Sequence, residues 1–118
     1  MSTNTKNNDF KRSACPVTSS LDIFGDKWTL IVVRDLLLGK NIYGDFMKSP
    51  EGIPTNILSD RLKKLILDGI VVKKAYSHRP VRYEYLLTEK GKALKPVLLE
   101  IVKWGNDHIE GTWRGSAQ

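Results

Sequence analysis

Thr55-Asn56-Ile57-Leu58-Ser59-Asp60-Arg61-Leu62-Lys63-Lys64-Leu65-Ile66-Leu67-Asp68, then Gly69, then Ile70-Val71-Val72-Lys73-Lys74-Ala75-Tyr76, is the stretch that decides the fold. In its first part Ile57, Leu58, Leu62, Leu65 and Ile66 recur at helical spacing, which predicts an amphipathic helix over 55–68. Asn56, Ser59, Asp60, Lys63 and Leu67 fall on the other side, an outward set that is mostly polar. Gly69 stops the helix. The pattern then turns β-branched and aromatic, so 70–76 and 82–87 read as two strands with 77–81 as the tip between them.

Outward from that stretch, a short helix is expected over 43–48. A turn at Pro50-Glu51-Gly52 follows, and Ile53 is held extended by Pro54. Further toward the N-terminus, Pro16 suits the first position of a helix over 16–24, which Gly25 ends. Asp26 caps a helix over 27–38, closed by Gly39. The Leu30-Ile31-Val32-Val33 run within it is apolar nearly all round, the mark of a buried central helix. Beyond the strands, Thr88 caps a last helix over 89–110, with Leu94, Val97, Leu98, Ile101, Trp104 and His108 as a long stripe.

This order gives an α+β, mainly helical class: a winged helix-turn-helix with a two-stranded β-hairpin wing and extra helices at both ends. Residues 14–110 form the domain, 1–13 a disordered lead, and 111–118 a tail in which Trp113 has no evident role.

Composition bounds the function. The chain of 118 residues has no apolar run long enough to span a membrane, and its polar start does not read as a secretory signal. A cytoplasmic protein is expected. One cysteine, Cys15, excludes an internal disulfide, and with His78 and His108 it makes no zinc site. No metal or cofactor is expected. There is no phosphate-cradling glycine loop and no nucleophile–base pair, so an enzyme is the weakest class. The net charge is +6, and residues 61–82 alone carry that whole excess, with seven basic residues against one acid, Asp68. A concentrated excess suits phosphate neutralisation, although a solvated basic face has the same composition.

In a helix-turn-helix the second helix enters the DNA major groove with its N-terminal residues toward the bases, and a basic hairpin lies along the flanking backbone. Here the charge falls on that helix and hairpin. The alternative is a winged helix that binds protein.

The sequence resembles the HxlR family of bacterial winged-helix regulators. The resemblance lies in Cys15-Pro16-Val17, Leu21-Asp22, Gly25-Asp26-Lys27-Trp28-Thr29-Leu30, Arg34-Asp35-Leu36-Leu37, Gly52-Ile53-Pro54-Thr55-Asn56-Ile57-Leu58, Arg61-Leu62-Lys63, Pro80, Arg82, Glu84-Tyr85, Leu87-Thr88, Pro96-Val97-Leu98 and Trp104-Gly105. It implies a homodimer that binds double-stranded DNA at an inverted-repeat operator and regulates transcription. It also raises an oxidant or electrophile as candidate effector, sensed by an N-terminal cysteine. Val81 departs from the second proline that this family often carries in the wing.

Thr55, Asn56, Ser59 and Lys63 are the base-reading candidates, with phosphate or water contact as the plainer reading. Lys73, Lys74, His78, Arg79 and Arg82 are the wing candidates. Arg79 near the tip suits a narrow minor groove, while Arg82 beside Glu84 is open to a structural role. Arg61 falls on the apolar side and reads as a paired structural arginine, and Asp60 is expected to pair with a neighbouring lysine. Val17, Leu21, Leu94, Leu98, Ile101, Trp104 and His108 are the expected dimerisation residues, and Tyr83 and Tyr85 should pack one face of the hairpin. Cys15 sits where a helix dipole favours a thiolate, near Lys11 and Arg12, so it is either a sensor or an inert small side chain.

Overall fold

The computed structural model describes residues 10–113; the rest of the expected lead and tail lies outside the described residues. The order is α1 Pro16–Phe24, α2 Thr29–Leu37, α3 Tyr43–Met47, α4 Thr55–Leu67, β1 Val71–His78, β2 Val81–Leu87, α5 Glu89–Lys92 and α6 Lys95–His108. The strands form one antiparallel hairpin, and the class is the expected winged helix-turn-helix.

The core lies between α2, α3, α4 and the root of the hairpin. Val32, Val33, Leu36, Phe46, Ile53, Leu58, Leu62, Leu65, Ile70 and Val71 are all buried. Leu58, Leu62 and Leu65 repeat at three- and four-residue spacing, which turns one face of α4 inward and leaves Asn56, Asp60 and Lys63 exposed.

Three expected boundaries are corrected. The second helix begins at Thr29 and not at residue 27. The Asp26 carboxylate accepts from the backbone N–H of Trp28 and of Thr29, both at 3.0 Å, and from the Thr29 hydroxyl, so Lys27 and Trp28 are fixed in the turn. The last helix is two helices. Thr88 caps α5 through its Oγ1, 3.1 Å from Gly91 N, and the chain restarts at α6 with Pro96 in the first turn. Proline inside a continuous helix would remove a backbone hydrogen bond and clash with the preceding turn, and a restart avoids both. The strands also run further than expected, so the tip shrinks from 77–81 to Arg79 and Pro80, joined by a cis peptide.

Gly91 is buried where α5 crosses the hairpin root. A Cβ there would overlap the Ile70 carbonyl oxygen and crowd Leu87 Cδ2 at 2.7 Å. Gly52, at φ 67°, closes the turn between α3 and α4 in the left-handed region that glycine adopts without strain.

Candidate nucleic-acid interface

The turn that sets the angle between α3 and α4 is held by a charged network. Asp35, 2% exposed on the inner face of α2, accepts from Arg34 Nη2 at 2.9 Å and from the Ser49 hydroxyl. Arg34 reaches across to Glu51 as a fork, with bonds of 2.7 and 2.8 Å. Lys40 donates to Ser49 Oγ at 2.9 Å. Burying a carboxylate is costly unless it is bonded throughout, and here every partner but Arg34 lies at or near the turn. Glu51 is held below the usual carboxylate range chiefly by its hydrogen bond with Arg34.

The N-terminal end of α4 is fixed from the other side. Ile53 is buried, and the Tyr43 hydroxyl donates to the Thr55 carbonyl oxygen at 3.1 Å. Thr55, Asn56 and Lys63 are then exposed along one outward face, with Ser59 half-buried beside them. The four base-reading candidates are therefore brought together on one helix.

Not all of the basic excess is free. Arg61 turns inward, donating from Nε to Asp26 at 2.8 Å and pairing with Asp60, as the apolar side of the helix required. Asp60 thus pairs with Arg61 and not with a lysine. Burial raises the Asp26 carboxyl, but hydrogen bonds from Thr29, Arg61 and the backbone of Trp28 and Thr29 outweigh it and leave the group well below the usual range. Lys64 donates to the carbonyl oxygens of Asp22 and Ile23 at the end of α1 and pairs with Asp68 at 2.9 Å. Lys63, Lys73, Lys74, Arg79 and Arg82 have no acidic partner among the described residues. These five cations lie on α4 and the hairpin, and His78 is exposed near the tip. Arg82 is not paired with Glu84, which accepts from Asn41 Nδ2 at 3.1 Å.

The other candidates lie at the chain ends. Cys15 is exposed at the N-cap of α1. Its thiol is lowered by the backbone N–H of Thr18, then by that of Val17 and by the Thr18 hydroxyl. Arg12, expected near it, pairs instead with Asp22 at 2.8 Å. Val17 and Leu21 are exposed on α1. Leu94 and Leu98 pack against their own core, so they serve the subunit first. Ile101 and Trp104, the latter 61% exposed, remain outward, with the His108 ring 5.1 Å from that of Trp104. Between α2 and α6 lies an apolar groove of about 350 Å³, lined by Leu30, Ile31, Leu37, Leu98, Leu99 and Ile101 among others. Trp113 lines a separate cleft with Arg34, Lys40 and Val102.

Reading the sequence missed the network of Arg34, Asp35, Ser49 and Glu51 and the role of Tyr43. An acid at the helical spacing of Val32 and Leu36 was the available signal for the first. Nothing in the sequence pattern marks Tyr43.

Comparisons with known proteins agree with this geometry. Residues 23–112 match the family described as HxlR-like helix-turn-helix. The uncharacterised HTH-type transcriptional regulator YvaP of Bacillus subtilis (strain 168) is 38% identical over 97 residues, 81% of this chain and 90% of that one. Among solved structures, the redox regulator HypR in its oxidised form superposes with a TM-score of 0.74 at 34% identity, covering 81% of this chain and 99% of that one. The reduced form of the transcriptional regulator YodB from B. subtilis gives 0.70 at 28% identity, covering 86% and 100%.

Proposed function

The chain belongs to the HxlR-like helix-turn-helix family, a family of transcriptional regulators and not of enzymes, and on that premise we propose that it acts as a sequence-specific regulator on double-stranded DNA. It works as a cytoplasmic homodimer on an inverted-repeat operator, with Cys15 as its thiol switch. The observation that carries the DNA reading is the meeting of the outward polar face of α4 with five acid-free cations on α4 and the hairpin. Side chains at the N-terminal end of α4 reach base edges, and the wing cations contact flanking phosphates.

The dimer reading rests on apolar side chains that the subunit does not cover: Val17 and Leu21 on α1, and Ile101 and Trp104 on α6 beside the apolar groove. One small module makes too few contacts for operator specificity, and a two-fold pair doubles the site. Half-site centres are then about 34–36 Å apart or a multiple of that. The thiol reading rests on the exposed, lowered Cys15 and on the likeness to the redox regulator HypR and to YodB, solved both reduced and after diamide treatment. With one cysteine per chain, a stable disulfide joins two subunits or captures a small thiol.

Selection of bound sequences from random duplexes, with reduced and diamide-treated protein in parallel, tests this. An enriched inverted repeat and a steep fall of affinity with salt are expected. Binding without salt dependence or enrichment would leave a protein-binding winged helix as the better reading.

A further inference from the structure

An aromatic cluster stands where the hairpin leaves the helix-turn-helix. Tyr43 bonds the first residue of α4 through the Thr55 carbonyl oxygen, at 3.1 Å. Tyr85 packs edge-on to Phe46, with ring centroids 6.4 Å apart, and its phenol is pushed up by burial and by the neighbouring Tyr43 and Tyr83. In the hairpin register Lys73 faces Tyr85 and Ala75 faces Tyr83. Lys73, Ala75, Tyr83 and Tyr85 therefore share one face, and Lys73 and Tyr83 are diagonal neighbours on it. Lys74 and Glu84 stand opposite each other in the register, on the other face, without an ion pair between them. The Lys73 ammonium lies 4.3 Å from the centroid of the Tyr83 ring, which is 45% exposed.

We infer that Tyr83 is a positioning residue for DNA binding. Its ring holds the Lys73 ammonium on the hairpin face that also carries Tyr85, which packs on Phe46 of α3, ready for a backbone phosphate of the bound duplex. A free lysine stem samples many rotamers and loses that freedom on contact. A ring beneath the ammonium restricts the stem before DNA arrives. A carboxylate would hold it as well but would cancel the charge that phosphate requires, whereas a neutral ring leaves it intact. The inference rests on the DNA-binding reading above.

Fluorescence anisotropy with a labelled mixed-sequence duplex over a salt series tests it, with melting temperatures followed in parallel. Tyr83→Leu should weaken binding about two- to fivefold with the salt slope retained, since no charge is removed. Tyr83→Phe, which keeps the ring, should bind as the parent does. Lys73→Met should lower the slope by about one unit. Adding Tyr83→Leu to Lys73→Met should cost nothing more. If Tyr83→Leu binds as the parent does, or weakens the Lys73→Met protein equally, the inference is overturned while the DNA-binding reading stands. If the parent binds no duplex, that reading falls and takes the inference with it.

Discussion

Arg61 Nε lies 2.8 Å from the Asp26 carboxylate, so α4 is bonded to the corner between α1 and α2 as well as packed on the core. One helix thereby carries two kinds of cation. Arg61 is consumed by the fold, and Lys63 two residues on faces solvent without an acid.

Substituting the two separates their roles. Arg61→Met should lower unfolding free energy by about 1–2 kcal/mol and leave the salt slope of DNA binding unchanged. Lys63→Met should alter stability by less than about 0.5 kcal/mol and lower the slope by about one unit. Urea melts and a salt series on the same protein read both; a reduced slope in Arg61→Met would place that side chain on DNA.

Acid should unfold the protein through Asp26 and Glu51. Both carboxyls lie below their ordinary values in the folded chain. Each contributes stability that is fully present above the unfolded value, near pH 4, and is lost as pH falls through the lower folded value. The Asp26→Asn protein should be less stable at pH 7 and should lose less between pH 4 and pH 2. Parallel slopes for the two proteins would remove Asp26 from this account.

Base reading is expected from Asn56, exposed on the outward face of α4. Asn56→Ala should reduce discrimination at one operator position by about 1–3 kcal/mol, whereas Arg79→Ala should weaken binding to every duplex alike. Unchanged preference in Asn56→Ala would mean that other side chains read the bases.

Introducing charge on the outward side of α6 should split the dimer. Ile101→Asp and Trp104→Asp each place a carboxylate where the subunit leaves an apolar side chain exposed. Sedimentation should give a monomer, with operator affinity reduced at least tenfold because the second half-site no longer assists. A dimer in both variants would move the interface elsewhere.

Cys15 should be alkylated as a thiolate at lower pH than a cysteine in an unstructured peptide measured alongside. DNA binding by the Cys15→Ser protein should not respond to mild diamide, while the parent's should. Equal responses would leave Cys15 without a sensing role.

The helix-turn-helix and its wing were legible because Leu58, Leu62 and Leu65 repeat at helical spacing and the next residues turn β-branched. The split of the last helix was also marked, by Pro96, yet the longer stripe from Leu94 to His108 hid it. Periodicity likewise gave the inward side of Arg61 but not its partner, because Asp26 lies 35 residues away. Lys64 illustrates the limit best. Its spacing suits solvent, and only the tertiary fold brings the end of α1 within reach of its ammonium. Composition counted it among cations available to phosphate, and the structure withdraws it.

Gly91 marks a joint with no room for a side chain. A side chain there would strike the Ile70 carbonyl oxygen, so the short helix lies directly on the root of the hairpin. Thr88 closes the same corner, with Oγ1 2.6 Å from the carbonyl oxygen of Gly69, two residues past the end of α4. The end of α4, the base of the hairpin and the start of the C-terminal helices therefore meet at one closely packed corner. A side chain added at position 91 would therefore disturb α4, the hairpin and the C-terminal helices at one place.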